Sequence, residues 1–524
     1  MGFGVFAGAA ALALSVAAFA HEQQARPATA AAAIALHAGS AIAQPAPAPA
    51  PTEAEIAASP AVKRLKELLE AVNSGDAAAM KAYVKANGVN ATKPPPWPPG
   101  AMPLIGSVLD LHRRSQGFDF VRVATVDDSG TVAIVRNKLT GDEQGLAVKI
   151  EPQAPHRIIG IPNAPLSVVA AFARATPVAQ SEQARLQHIG SHLKRLGDAD
   201  IFSGVVVIAR DGKPVFSEAY GYADREKKIP NTVATPFLLG SMNKLFTGLA
   251  IGQLVEQGKL SYEDPLSRFV PNFPDAESAK QIKIKHLLSH TSGLGNYFNS
   301  NFFKSLDRLR SVQAILDVAG RDAPEFEPGT SWRYSNIGYQ LLGRVIEVVT
   351  GEDYYDYMRK NVFAPAGVTS DLFPNYDQDG VAMAHPYEIE FDGDRLHYVN
   401  KTATSPRRGG PAGGGIASAP DLIKLANAIH DGRIVKPDTY WLHASPKPEI
   451  ASPMYGYGIT PNARMAKRPL VGHGGNAPGQ CTEFGTLTDT PYTVVVLSNA
   501  TVNTCMWVVQ KILQVLPPTK APAA

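Results

Sequence analysis

Leu238-Leu239-Gly240-Ser241-Met242-Asn243-Lys244-Leu245-Phe246-Thr247 places a serine three residues ahead of a lysine, at the head of an apolar run. Leu245, Phe246, Leu249, Ile251, Leu254 and Val255 recur at helical spacing, so the segment reads as a buried helix whose first turn holds Ser241 and Lys244. Residues three apart share a helix face, which sets the ammonium beside the hydroxyl. A serine hydroxyl is a weak nucleophile until a neighbouring base takes its proton. A lysine whose pKa is lowered by burial can be that base. The helix N-terminus adds free N–H groups and a partial positive charge where an oxyanion would form. The spacing by itself is cheap, because Ser191-His192-Leu193-Lys194 repeats it in what reads as an ordinary amphipathic helix. Other parts of the chain have to supply partners.

The 524 residues predict two or three domains with at least one full-sized core. A hydrophobic share of 45% and a charged share of 19% are those of a soluble globular protein. The net charge of +3 and the absence of a basic cluster argue against nucleic acid as a partner. Residues 1–20 are small and apolar and end Ala18-Phe19-Ala20 before His21, a signal-peptide cleavage pattern that lacks the usual basic head. A second such pattern begins near Arg26 and ends Ala41-Ile42-Ala43 before Gln44. Cleavage after 20 or after 43 implies an exported protein, periplasmic or secreted. No cysteine near either site offers a lipid anchor, and no later apolar run reaches the roughly 18 residues that span a bilayer. Cys481 and Cys505 are the two cysteines; in an oxidising compartment they form one disulfide or remain two buried thiols.

Residues 44–52 are a Pro/Ala linker. Val62, Leu65, Leu68, Leu69 and Val72 mark a helix closed by Asn73-Ser74-Gly75, and Asp76 caps a second that runs through Ala86. After the proline run 94–99 come three β-like stretches, Phe118–Val126, Thr131–Lys138 and Leu146–Ile150. A small α+β domain over 53–165 follows from this order, whose topology resembles the cone-shaped fold of nuclear-transport-factor-like proteins. It shows no nucleophile, metal cluster or phosphate loop. A connector spans 166–180, and Arg185–Leu196 reads as a helix. Gly204–Arg210 and Val215–Ala219 flank Asp211-Gly212 as a hairpin. Gly485–Leu487, Tyr492–Ser498 and a helix over Val502–Leu516 close the second domain, 181–516, ahead of a tail at 517–524. Strands early and late with helices between predict one sheet closed by the two ends of that domain.

Two further motifs follow the serine. Tyr334-Ser335-Asn336 stands in a loop before an apolar helix, and His473-Gly474-Gly475-Asn476 comes late. Each is common by itself: Tyr297-Phe298-Asn299 and His430-Asp431-Gly432 match the same spacings. Their order and flanks are not common. Together with His286-Leu287-Leu288-Ser289-His290-Thr291-Ser292-Gly293-Leu294, Pro328-Gly329 and Pro411-Ala412-Gly413-Gly414, they resemble the β-lactamase-related serine hydrolases, which include class C β-lactamases, D-alanyl-D-alanine carboxypeptidases, D-aminopeptidases and esterases.

The resemblance covers roughly 180–516 and implies an α/β (α+β) sandwich, an antiparallel sheet flanked by helices with a helical subdomain. It implies Ser241 as the acylated nucleophile, and Lys244 as the group that assists proton removal and holds Tyr334 at a lowered pKa. Tyr334 would shuttle the proton, and Asn336 would bind a substrate amide. The backbone N–H groups of Ser241 and Asn476 would form the oxyanion hole. No metal or cofactor is implied. Where relatives that bind a carboxylate place Lys-Thr-Gly or Lys-Ser-Gly, this chain has His473, Gly474 and Gly475, a mostly neutral side chain followed by no hydroxyl. That argues against an efficient β-lactamase. Arg407 and Arg408 are either a replacement cation or a solvated loop pair. The expected protein is an exported serine hydrolase of an ester or amide, with a D-amino-acid peptide as one source. The alternatives are a class C-like β-lactamase and a penicillin-binding-like receptor that acylates with negligible turnover.

Overall fold

The computed structural model describes residues 52–93, 102–164, 168–169, 181–319, 323–377, 380–461, 470–500 and 504–516. The leader, nearly all of the linker, most of the connector and the tail lie outside these residues. At the N-terminal end, α1 (Glu53–Ala58), α2 (Pro60–Asn73), α3 (Ala77–Asn87) and α4 (Leu104–Arg113) precede strands β1 (Phe118–Asp127), β2 (Gly130–Asn137), β3 (Glu143–Ile150) and β4 (Ile158–Gly160). Ser59 and Asp76 cap α2 and α3 by accepting from Val62 N and Ala78 N. The apolar stripe of α2 is buried with Ile105, Val108, Ala133, Val135 and Val148. Helix α4 was not anticipated. It follows the proline run directly, and Pro103 at its start has no side-chain cap to signal it.

The four strands form an antiparallel meander in the order β1-β2-β3-β4. This unit packs on the back of the larger one. Buried Lys511 pairs with Asp142 at 2.6 Å, and Lys81 reaches Asp394 at 2.6 Å. Phe391 and Leu396 pack against its core from the hairpin β7 (Tyr387–Phe391) and β8 (Leu396–Asn400).

The larger unit is built on an antiparallel six-stranded sheet. Its strands are β5 (Gly204–Arg210), β6 (Lys213–Tyr220), β9 (Thr460–Pro461), β10 (Leu470–Ala477), β11 (Gln480–Leu487) and β12 (Tyr492–Ser498), in the order β9-β10-β11-β12-β5-β6. The first and last strands of the domain therefore meet in the middle, β12 beside β5. The Asp211-Gly212 turn has φ of 49° and 73°, as a two-residue hairpin requires. Successive side chains of β5 alternate between two cores: Val205 and Val207 face one, Val206 and Ile208 the other. Helix α5 (Glu182–Asp198) and the C-terminal helix α8 (Thr504–Val515) cover the second face. The first face carries α6 (Asn243–Glu256), α7 (Asn336–Thr350) and the remaining helices. Residues 243–254 of α6 are all buried, which is why that helix is apolar on every side.

Strand β10 was the least legible element. It reads Leu-Val-Gly-His-Gly-Gly-Asn-Ala, and glycines suppress the β-branched signal by which strands are found. Neighbouring β11 is longer than the expected Gly485–Leu487, beginning at Gln480. Cys481 of β11 and Cys505 of α8 form a disulfide, with Cα atoms 5.5 Å apart.

Candidate active site

Ser241 lies in a short 3-10 turn, Gly240–Met242, and Lys244 in the first turn of α6 that follows. The serine is thus just ahead of the α-helix and not inside it. Lys244 Nζ is 3.2 Å from Ser241 Oγ and donates to Asn336 Oδ1 at 2.7 Å and to the carbonyl of Ala412. The Pro411–Gly414 motif of the sequence therefore serves as backbone acceptor for the lysine. Among the described residues no carboxylate pairs with Lys244, and complete burial drives its pKa well below the usual lysine value. The amine is pushed toward the neutral, proton-accepting form.

Tyr334 differs from the expectation. Its ring centroid is 4.8 Å from Lys244 Nζ. Burial raises its phenol well above the ordinary tyrosine range, opposed only in part by a hydrogen bond with Ser241. The anticipated lowered pKa required a persistent ammonium beside the ring. The same desolvation that disfavours phenolate also disfavours that ammonium.

The loop that carries Tyr334 is held by the His286–Leu294 segment. His290 has φ of 64°, and its ring lies 4.2 Å from that of Tyr334. His290 Nδ1 accepts from Ser335 N at 3.1 Å. Ser335 caps α7, accepting from Gly338 N at 2.9 Å. Asn336 opens that helix with both ends of its amide in use: Oδ1 takes Lys244, and Nδ2 donates to Asn296 Oδ1 at 2.6 Å. The expected substrate amide can claim at most the second Nδ2 hydrogen.

Asn296 escaped sequence reasoning. It sits just beyond Ser292-Gly293-Leu294 with no spacing to mark it, and only folding brings it to Asn336. Asn296→Ala is expected to lower kcat/KM for a p-nitrophenyl ester about tenfold, the scale of one lost buried hydrogen bond of ~1–2 kcal/mol. An unchanged rate would show that Asn336 is oriented by Lys244 alone.

The third motif lines the other wall. Gly475 pairs with Thr482 and Asn476 with Cys481 across β10 and β11. A Cβ at 475 would stand 1.9 Å from Leu239 O and 2.8 Å from Ser241 N, so only glycine allows β10 to lie against the serine turn. A Cβ at 240 would likewise fall 3.0 Å from Asn476 N. The Ser241 turn and the Gly475–Asn476 stretch of β10 are therefore in close backbone contact. Thr482 Oγ1 donates to Leu239 O at 2.9 Å and fixes the turn from behind.

His473 is buried. Its Nε2 lies 2.8 Å from the Tyr455 hydroxyl, and its Nδ1 meets the carbonyl of Gly474. Burial and the proximity of Lys244 lower its pKa to about 3. A neutral ring with both nitrogens engaged is no anchor for a carboxylate. Arg407 and Arg408 do not replace it: Arg407 pairs with Asp307 at 2.7 Å, while Arg408 stacks on Tyr355 and donates to Phe373 O at 2.8 Å. Among the described residues, Asp224, Glu226 and His385 offer three ligand atoms within 4.8 Å of one another. Their carboxylates already have partners, Lys227 at 3.3 Å from Asp224 and the Tyr387 hydroxyl on Glu226.

A serine beside a desolvated amine and a buried phenol is equipment for acyl transfer, and the protein is a serine hydrolase. The chain belongs to the β-lactamase family, whose model, described as Beta-lactamase, matches residues 180–508. It is 30% identical over 342 residues to a penicillin-binding protein of Bacillus subtilis (strain 168), covering 61% of this chain and 72% of that relative. It is 31% identical over 237 residues to teichoic acid D-alanine hydrolase of Staphylococcus aureus (strain MRSA252), covering 45% of this chain and 56% of that one. The structure of D-amino acid amidase from Ochrobactrum anthropi SV3, complexed with L-phenylalanine amide, matches with a TM-score of 0.53 and 26% identity over 64% of this chain and 97% of that chain.

Proposed function

We propose that the protein is an exported hydrolase that cleaves a D-amino-acid ester or amide through an acyl-enzyme on Ser241. The observation that carries this reading is the 3.2 Å contact between Ser241 Oγ and a lysine nitrogen that burial drives toward the neutral amine. In the first step Ser241 Oγ bonds to the substrate carbonyl carbon as its proton passes to Lys244. The carbonyl oxygen takes the negative charge, facing Ser241 N and Asn476 N. The proton then leaves through Tyr334 to the departing alcohol or amine as the ester or amide bond breaks. Water enters by the same route in reverse, giving its proton to Lys244 and its oxygen to the acyl carbon, and Ser241 is released.

The D-amino-acid preference follows the relatives, one a D-alanine hydrolase and one a D-amino acid amidase. Export is supported by the apolar leader and its cleavage patterns and by the Cys481–Cys505 bridge. Among the described residues no helix is long and apolar enough to cross a membrane. We assign residues 53–165 to a separate packing module on the face of the sheet away from Ser241.

The test is a panel of nitrocefin, D-alanyl-D-alanine peptides, D-amino-acid amides and short p-nitrophenyl esters. With His473 neutral and tied, nitrocefin turnover is expected to fall at least about tenfold below that of the esters, since a missing charged contact is worth ~1.5–3 kcal/mol. Nitrocefin hydrolysed as fast as the esters would favour a β-lactamase instead. A burst of one equivalent followed by no turnover would favour a penicillin-binding receptor.

A further inference from the structure

His290 receives a backbone hydrogen bond on each side of Tyr334. Its carbonyl accepts from Arg333 N at 2.9 Å, and its Nδ1 accepts from Ser335 N at 3.1 Å. A backbone N–H can only donate, so Nδ1 is the bare nitrogen of a neutral imidazole and the ring proton is on Nε2. The imidazole also lies against the Tyr334 ring, with centroids 4.2 Å apart and planes inclined by 34°. One residue thus fixes the backbone before Tyr334, the backbone after it and the ring between them. Packing does not account for a histidine here. The side chain is fully buried, and among the described residues its Nε2 has no hydrogen-bond partner. A phenylalanine would offer a flat ring without that unpaired N–H, but it would leave Ser335 N without its acceptor.

The support is itself anchored. His290 holds a left-handed backbone, φ 64°, that a non-glycine residue adopts only at a cost. Thr291, the next residue, donates to His286 O at 2.9 Å and accepts from Gly329 N at 2.8 Å. The imidazole also meets Tyr455, ring centroids 4.5 Å apart, and the Tyr455 hydroxyl is 2.8 Å from His473 Nε2. His290 therefore joins the loop of the second motif to the strand of the third. Tyr334 needs such a support. Its hydroxyl bonds Ser241 while its ring centroid is 4.8 Å from Lys244 Nζ, and a proton passes only between groups held within hydrogen-bond reach.

We propose that His290 is a positioning residue for proton transfer to the leaving group: it holds the Tyr334 hydroxyl on the path from Lys244 to the departing oxygen or nitrogen. In that step Tyr334 gives its hydroxyl proton to the leaving atom as the bond to the acyl carbon breaks. It takes in return the proton that Lys244 received from Ser241. A leaving group that departs as a stable anion does not need the transfer, whereas an alkoxide or an amine nitrogen does. Loss of His290 therefore falls on alcohol and amine leaving groups and spares activated phenols. This rests on the hydrolase reading above, in which Tyr334 carries the proton.

The test compares kcat/KM for two esters of one acid, methyl butyrate and p-nitrophenyl butyrate. Tyr334→Phe, the control, and His290→Asn are each expected to lower it for the methyl ester at least about tenfold more than for the p-nitrophenyl ester, part of the about 10²–10⁴-fold that a positioned acid–base group supplies. Asparagine accepts the left-handed backbone and keeps an acceptor near Ser335 N, so the ring is what it removes. Circular dichroism and thermal melting check the fold. If His290→Asn does not fold, His290→Phe, which keeps a ring and loses the acceptor, is read in the same way. If neither folds, a crystal structure of the wild type with a fluorophosphonate on Ser241 decides: Tyr334 against the His290 ring is expected, and Tyr334 turned away from it overturns the inference. Equal losses on both esters in a folded His290 variant, beside a selective loss in Tyr334→Phe, sink this inference alone. Equal losses in Tyr334→Phe, or a wild type that releases p-nitrophenol but no methanol, overturn the relay and this inference with it. Hydrolysis of neither ester by the wild type sinks the hydrolase reading as well.

Discussion

Ser241→Ala is expected to abolish covalent labelling by a fluorophosphonate and to lower kcat for a p-nitrophenyl ester by at least about 10³-fold. The loss is large because the serine oxygen is the atom that bonds to the acyl carbon; without it Lys244 and the oxyanion donors can only assist direct attack by water. The residual rate reports those donors and substrate positioning. The substitution removes one half-buried hydroxyl from a turn whose backbone is held by Gly414 N, Gly415 O and Thr482, so Tm should stay within a few degrees of wild type. Mass spectrometry of intact protein after labelling gives a direct answer. An adduct of unchanged stoichiometry on the alanine variant would place the nucleophile elsewhere and remove the basis of the whole site.

Lys244→Met should lower kcat by about 10²–10⁴-fold, the range for loss of a positioned general base, while fluorophosphonate labelling slows but persists. Methionine fills the same space, so folding is not the obstacle; Asn336 Oδ1 and Ala412 O lose their donor, and Ser241 Oγ loses the nitrogen 3.2 Å away. The wild-type pH profile carries the sign of the same argument. Desolvation lowers the lysine pKa, so the amine persists to lower pH than in a solvated lysine and becomes protonated as pH falls through the lowered value. The kcat/KM profile is therefore expected to be flat around neutrality and to decline on the acid side. Tyr334, raised by burial, should add no ionisation between these limits. A rate climbing steadily toward pH 10 would mean that Lys244 titrates as an ordinary solvated lysine, and the assignment of the base would fail.

These two predictions come from residues that were legible before folding, but not with the roles first expected for all of them. Ser241 and Lys244 stood out because an apolar helical pattern and a three-residue spacing are local properties of the chain. The two hydrolase halves could be foreseen as one sheet, because β5, β12 and the Asp211-Gly212 hairpin carry strong strand and turn signals. Strand β10 carried the third motif but not a strand signal, since its glycines answer to close neighbours, Leu239 and Ser241 at Gly475 and strand β11 at Gly472 and Gly474, and not to strand propensity. Arg407 and Arg408 looked like free cations only because Asp307 and Tyr355 are remote in sequence.

The amino-acid sequence by itself determined the family, the Ser241–Lys244 spacing and the absence of a third-motif lysine, because motif order and short spacings survive without a fold. Tertiary structure alone decided which way burial pushes the titrating groups. Burial depends on what packs around a group, so it was folding that moved Lys244 toward the amine and Tyr334 toward the phenol. Folding likewise tied His473 to Tyr455 and brought Asn296 to Asn336. Each of these contacts joins residues 18 or more positions apart, so the surroundings that give them their chemistry exist only in the folded chain.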